Sequence, residues 1–315
     1  MLKKNLRESL MELFNKLIKS SANWIRFELG LIVLDGSYYD KEMHYRAKSI
    51  FKFLFNNSDT ICIIATVSNR IGHNRIVLPN IKRFLNNKKL IYDLNCKIVP
   101  FEYDEEDTEM KTIRYSLKVK QEDIRLDYLI KAIGNKDFLR KPRINGNLYI
   151  VNETKGILFH MYDDRGCDVF GLNKDTLMPL YHKFRKWILD YNRVEIDRSF
   201  EEGLFNCYET TEEKEKRLRA NRLKVKETKI NLFQVNTCHI THALAIPNEC
   251  AEECINEIGE TGFNIAIDNK NSECTTIKVT KTEALALVDY QTELMSLYSK
   301  KYKGEYIGWS AKEAF

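Results

Sequence analysis

No stretch of this chain is apolar over the ~20 residues that a bilayer-spanning helix needs, so a membrane-spanning role is not expected. Prolines number only five, which excludes collagen-like and proline-rich disordered architectures. There is no glycine-rich phosphate loop, no Gly-x-Ser-x-Gly elbow and no His-Glu-x-x-His pair, and three common enzyme classes fall away with them. A strong excess of one charge is also missing: 50 basic against 45 acidic side chains leave +5 over 315 residues. So mild an imbalance does not predict nucleic acid as a direct partner. Cysteine is present but unpatterned, eight residues at irregular intervals, as expected of reduced thiols in a cytoplasm. The opening Met1–Leu10 stays amphipathic and charged, which does not predict a secretory leader.

What is present is a globular composition, 43% hydrophobic and 30% charged, with length enough for two domains that each bury a core. Leu6, Leu10, Leu13, Phe14 and Leu17 predict a first amphipathic helix. Trp24 to Gly30 alternates as a strand with Arg26 and Glu28 on one face. A helix over 40–55 places Tyr45, Ile50, Phe51, Leu54 and Phe55 on or near its buried side. The continuous apolar run from Thr60 to Val67 predicts a central strand. Ile113–Val119 reads as a strand and Asp123–Ile133 as a helix; Leu148–Val151 and Gly156–Tyr162 read as a hairpin. Thr176 to Tyr191 predicts a helix with the apolar face Leu177, Leu180, Tyr181, Phe184, Trp187 and Ile188.

The most charged string lies at a strand end, Tyr162-Asp163-Asp164-Arg165-Gly166-Cys167-Asp168-Val169, two residues after His160. His160, Asp163, Asp164 and Asp168 have the donor types of a Mg²⁺ or Mn²⁺ site, or of an acid–base pair whose pKa values burial has separated. The competing reading is a turn, in which the aspartates accept backbone N–H groups, Gly166 supplies a positive φ and Arg165 neutralises a neighbour. No second carboxylate cluster completes a metal site, and the turn is the expectation. Cys167, beside Arg165, is a weaker candidate for a lowered thiol pKa. Ile25-Arg26-Phe27-Glu28, the 162–169 string, and Trp187–Tyr191 with Arg193 together resemble an uncharacterised bacterial family covering about the first 200 residues. That resemblance implies no activity.

From Phe233 the order reads strand, helix, strand, strand, helix: Phe233–Ile246, a helix capped by Asn248 and ended by Gly262, Phe263–Ile267, a turn over 268–272, a strand through Thr276–Val279, and an apolar-striped helix with Leu287, Tyr290, Leu294, Leu297, Tyr298 and Tyr302. This is the layout of a ferredoxin-like α+β sandwich. Gly304 is expected to end the last helix in a left-handed conformation, and Gly308 to let Trp309 turn back onto the core as an aromatic hook. The ending Gly304-Glu305-Tyr306-Ile307-Gly308-Trp309, with Thr280, Lys281 and Thr282 leading into the last helix, resembles the regulator of ribonuclease activity B family. Ile307 departs from the acid usual there. The likeness spans about 85 residues and implies a protein that docks on an endoribonuclease and restrains it without catalytic residues of its own. Cys238, His239, His242, Cys250 and Cys254 crowd this region, but only Cys238 and His242 share a strand face, so buried thiols are expected in place of zinc.

Between these regions Glu209–Lys229 carries five acidic and eight basic residues, with Glu212–Lys216, Glu213–Arg217 and Glu215–Arg219 in stabilising i,i+4 order. This predicts a solvated linking helix. The expectation is therefore an α+β protein: residues 1–206 a mixed α+β domain, 207–229 a charged helical linker, and 230–315 a ferredoxin-like domain. Its expected work is non-catalytic and cytoplasmic, the steric restraint of a protein partner such as a ribonuclease or nuclease toxin, with no cofactor. The alternative is a metal-assisted hydrolase or nuclease built on His160, Asp163, Asp164 and Asp168.

Overall fold

A computed structural model describes residues 10, 12–18, 23–31, 36–70, 80–102, 104, 106–138, 140–201, 207–228, 230 and 237–314. The chain forms two compact units, one of Met1–Leu31 with Gly36–Tyr181 and one of Ile32–Asp35 with His182–Phe315. Both are α+β with antiparallel sheets.

The first unit is built on a seven-stranded sheet of β1 (Trp24–Glu28), β2 (Ile61–Arg70), β3 (Asn95–Pro100), β4 (Met110–Val119), β5 (Asn147–Asn152), β6 (Ile157–Met161) and β7 (Gly166–Gly171), in the order β1-β7-β6-β5-β2-β4-β3. β2 pairs on both edges, with β4 and β5, and is buried on both faces from Ile61 to Val67, which explains why that run is almost wholly apolar without alternation. Helix α1, over 12–18, sets Phe14 and Leu17 against Cys62, Ile64, Tyr149, Val151 and Leu158; Leu6 lies outside the described residues. Helix α2 (Gly36–Leu54) buries Met43, Ala47, Ile50, Phe51 and Leu54, with Phe51 edge-on to Phe159 of β6 at 5.9 Å. Tyr45, expected inward, is 59% exposed, because the buried stripe runs through Met43, Ala47, Ile50 and Leu54 at helical spacing. Helix α3 (Leu126–Gly134) buries Leu129, Ile130 and Ile133.

The helix expected over 176–191 is two. Helix α4 (Lys174–Lys183) stops, a 3₁₀ turn follows at Arg185–Trp187, and α5 (Asp190–Phe200) begins. The cause is Arg193, which is wholly buried in the second unit. Its guanidinium donates to the carbonyls of Arg185, Ile188 and Thr261 and pairs with Asp190. A continuous helix would have used the first two carbonyls internally.

In the second unit α6 (Thr211–Thr228) is followed by β8 (Thr237–Pro247), α7 (Asn248–Glu260), β9 (Asn264–Lys270), β10 (Cys274–Ala284), α8 (Val288–Lys301) and β11 (Glu305–Glu313), with sheet order β11-β8-β10-β9. Two interlocked β-α-β segments in this order are the ferredoxin-like arrangement. Residues 233–236 of the expected first strand lie outside the described residues. Leu244, Ile246, Ile277 and Val279 of the sheet meet Cys254 and Ile258 of α7 and Leu294, Met295 and Tyr298 of α8.

Three local expectations need correction here. Asn248 is the first helical residue and no cap; its side chain accepts from Thr275 Oγ1 at 2.7 Å and donates to the Asn271 carbonyl. Strand β9 runs on to Lys270, and the turn is made by Asn271, whose side chain accepts from the N–H groups of Glu273 and Cys274. Helix α6 is not solvated all round, because Asn221 is buried and Arg217 donates to the Asp289 carbonyl of α8. Glu213 and Arg217 do not pair along α6. Glu213 reaches Lys300 at 2.9 Å, and Arg217 takes Glu209 at 2.8 Å. Among the described residues no helix is long and apolar enough to cross a membrane.

Candidate functional site

The acidic string forms the β6–β7 hairpin. Tyr162 N–H donates to the Gly166 carbonyl, and His160 faces Asp168 across the pair. Asp168 in turn faces Arg26 of β1, so His160, Asp168 and Arg26 stand in a row on one sheet face. Arg26 clamps Asp168 with two bonds of 2.7 and 2.9 Å, and its guanidinium lies over the rings of Trp24 and Tyr162. Burial pushes the Asp168 carboxyl up from its ordinary value, and the guanidinium opposes that shift. Asp163 closes the turn: it accepts from Arg165 N at 2.8 Å and from Arg165 Nε at 2.8 Å, with Nη2 also bonded. Asp164 takes the Tyr39 hydroxyl at 2.7 Å, and burial together with this carboxylate raises the phenol pKa.

His160 is held neutral. Burial, then the charges of Lys136 and Arg26, depress its pKa to about 3, against a smaller opposing pull from Asp163. Its Nε2 is buried without a hydrogen-bond partner among the described residues, and the ring lies 4.3 Å from that of Tyr149. Each aspartate thus has its own donor, Arg165, Tyr39 or Arg26. Among the described residues no three His, Cys, Asp or Glu side chains are placed to hold an ion. The geometry is that of the expected turn, with two corrections. Gly166 has no positive φ; glycine is needed because a Cβ would meet Tyr162 Oη at 2.1 Å and the Phe27 carbonyl at 2.8 Å. Cys167 is buried, and burial drives its thiol pKa well up, so Arg165 does not activate it.

At the other end of the chain Glu305–Trp309 opens strand β11, directly after Gly304. β11 pairs antiparallel with β8, with a register shift between Tyr306 and Gly308. Gly308 takes φ 146° at this bulge, and Trp309 returns to the buried face opposite His242. The indole is 5% exposed among Cys238, Ile240, Leu285 and Val288, and its N–H donates to Asn221 Oδ1 of α6 at 2.9 Å. The left-handed residue that ends α8 is Lys303, at φ 54°, and not Gly304. Gly304 N–H then reaches back to the Ser299 carbonyl at 2.7 Å. A Cβ on Gly304 would strike the Ala245 carbonyl at 2.4 Å, so close approach is what demands glycine there. Glu305 is exposed, while Tyr306 donates to or accepts from His242 Nδ1 at 3.0 Å. Sequence reasoning missed both the Asn221 partner and this His242–Tyr306 contact; the uncharged Asn221, in helical line with Leu218 and Val225 on an otherwise charged α6, was the available signal.

The β11-β8-β10-β9 sheet places its helices on one face. On β8 Cys238, Ile240, His242, Leu244 and Ile246 are buried, whereas His239, Thr241, Ala243 and Ala245 alternate onto the other face. Thr276, Lys278, Thr280 and Thr282 of β10 join them. Thr241 and Thr280 hydroxyls meet at 3.0 Å, and His239 Nδ1 meets Thr282 Oγ1 at 2.8 Å. The result is a surface dominated by threonine and alanine, with His239 and Lys278 standing out from it. Large apolar residues stand exposed on both edge strands, Ile267 and Ile307. Cys238, His239, His242, Cys250 and Cys254 do not converge: His239 lies on the open face, while Cys254 and His242 are buried at separate places.

An all-antiparallel seven-stranded unit with a tied acidic hairpin, followed by a ferredoxin-like unit, defines a two-unit α+β protein. The chain belongs to the family described as domain of unknown function (DUF3885), which matches residues 2–192. It is also similar to "Uncharacterized protein YnaE" of Bacillus subtilis (strain 168), 31% identical over 153 residues, covering 45% of this chain and 71% of that protein. The match takes in the whole acidic hairpin and ends inside α5, one residue before Arg193.

Proposed function

We propose that this chain is a non-catalytic binding protein that restrains a protein partner through its ferredoxin-like unit. The supporting observation is the face of the β11-β8-β10-β9 sheet opposite its helices, where threonines and alanines predominate and which no described helix of the unit covers. In the first unit Asp163, Asp164 and Asp168 are each committed to an internal donor, which leaves no free acid–base pair there. On the resemblance of the Gly304–Trp309 ending, the partner class is a ribonuclease or a nuclease toxin, held by occlusion of its substrate path. All eight cysteines are free thiols, which supports a cytoplasmic setting.

The test is inhibition. Purified protein is added to host endoribonuclease activity on a fluorogenic RNA, beside the doubly substituted Thr241→Arg, Thr280→Arg chain, which keeps the buried face intact. Cleavage should slow with the native chain and run freely with the variant. Cleavage of the RNA by the native chain alone, abolished by Asp168→Asn, would overturn the reading, as would equal inhibition by both chains.

A further inference from the structure

We infer that the groove between α2 and α3 in the first unit binds single-stranded RNA. This goes beyond the protein-restraining role, and the sheet face of the second unit plays no part in it. Tyr38, Lys41, Tyr45, Lys48 and Lys52 recur along α2 at steps of three and four residues, and so share one helix face, away from the buried stripe of Met43, Ala47, Ile50 and Leu54. Tyr38 and Tyr45 are 67% and 59% exposed, so these rings serve no core. Alongside, α3 and its flanks bring Arg125, Tyr128 and Lys131.

Two cavities of about 680 and 690 Å³ open along this groove, and Asp127 lines both. Their walls carry seven lysines and arginines against three carboxylates, whereas the whole chain is nearly balanced. The carboxylates do not cancel that excess. Asp127 is taken by Lys48 at 2.6 Å with His44 at 3.3 Å, and Asp40 by Arg140 at 3.1 Å. Among the described residues Lys41, Lys52, Arg125, Lys131 and Lys141 have no carboxylate at ion-pair distance. Such cations, clustered in a concave surface, attract a polyanion.

The aromatic rings narrow its class. Lys41 lies 5.3 Å from the Tyr38 ring, Arg125 lies 4.7 Å from Tyr128, and Arg140 lies 4.9 Å from Phe138. A cation over one face of a ring leaves the other face for a stacked base, while the cation itself meets a phosphate. Only unpaired bases reach such rings, which selects a single strand over a duplex. An acidic peptide would engage the lysines and leave the tyrosines idle. Asn57 and Gln121 line the same cavity as Lys48 and Lys52, and their amides suit a ribose 2′-hydroxyl, which favours RNA; Asn86, also there, gives its amide N–H to the Glu122 carbonyl.

Fluorescence anisotropy of a labelled, mixed-sequence oligoribonucleotide of about 20 nucleotides tests this on the full chain. The native chain should bind, and more weakly as salt rises from about 50 to about 200 mM. The pair Lys52→Gln, Lys131→Gln should weaken binding by about tenfold or more and flatten the log–log salt slope by about 1.4. Tyr45→Ala should weaken it about fivefold with the slope unchanged, since stacking releases no counterion. All three positions are exposed on α2 or α3, and unchanged circular dichroism and melting confirm that the variants fold. Absence of binding at low salt, or native affinity in the lysine variant, overturns the site. Equal affinity for single-stranded DNA of the same sequence overturns the assignment to RNA.

Discussion

The acidic hairpin of the first unit and the core of the second tie their buried polar groups in different ways. In the hairpin, two of the three ties stay in the turn or on its pairing strand: Asp163 bonds Arg165 two residues on, and Asp168 bonds Arg26 on the adjoining strand, while only Asp164 reaches a helix, at Tyr39 of α2. In the second they run between separate elements: Trp309 of β11 to Asn221 of α6, His242 of β8 to Gln291 of α8, and Arg193 of α5 to the Thr261 carbonyl after α7. The first kind fixes the shape of a hairpin that β-pairing already holds. The second kind decides where helices and strands dock. Losing one tie of the second kind should therefore disturb more than its own neighbourhood.

The largest expected effect breaks the unit of distributed ties. Trp309→Ala removes a buried indole from among Cys238, Ile240, Leu285 and Val288 and strands Asn221 Oδ1. It should cost about 3–5 kcal/mol in urea denaturation, as for a buried aromatic truncation. Trp309→Phe, which keeps most of the ring but not the N–H, should cost about 1–3 kcal/mol, the penalty for an unpaired buried acceptor. A cost for the alanine variant of under about 1 kcal/mol would place β11 outside the cooperative core of its unit.

Much of this architecture was legible in the chain itself. The ferredoxin-like order could be read largely because its central strand carries a clean period, β8 in Cys238, Ile240, His242, Leu244 and Ile246. The β6–β7 turn was legible because Asp-Asp-Arg-Gly is turn chemistry. What stayed hidden depended on three-dimensional neighbours. Gly166 and Gly304 are required by nearby atoms and not by φ, which no local pattern announces. Arg193 breaks the helix expected over 176–191 by capturing carbonyls at Arg185 and Ile188. The basic groove was masked by averaging, since a net +5 over the whole chain conceals seven cations gathered between two helices.

Titration sharpens the comparison, because each unit holds a buried histidine whose pKa is depressed. Burial lowers the His242 pKa from 6.5 to about 4, with Gln291 and Asp190 opposing. In the first unit His160 falls to about 3. Protonation is thus disfavoured in the folded state, and below 6.5 the unfolded chain binds more protons. The contribution of His242 is complete above 6.5 and is lost progressively as pH falls to about 4. At 1.36 kcal/mol per pKa unit the loss is about 3 kcal/mol. Denaturation at several pH values should show it, and His242→Gln should flatten the curve over that window. The His160 window reaches lower, so the remaining acid sensitivity of the variant should persist to about pH 3. A native stability independent of pH from 7 to 4 would show that His242 is not buried as described.

The smallest effect belongs to the hairpin. Tyr39→Phe removes the 2.7 Å bond to Asp164 and keeps the ring that packs over Gly30. Asp163 still holds Arg165 and Asp168 still holds Arg26, so the turn keeps its shape. The cost should be about 1–3 kcal/mol, the penalty for leaving the buried Asp164 carboxyl without its donor. Asp164→Asn combined with Tyr39→Phe should cost less than the sum of the two alone, because both remove the same hydrogen bond. A loss as large as that of Trp309→Ala would mean that the hairpin's ties form one network, and the contrast between the two units would then be one of position in the chain and not of physics.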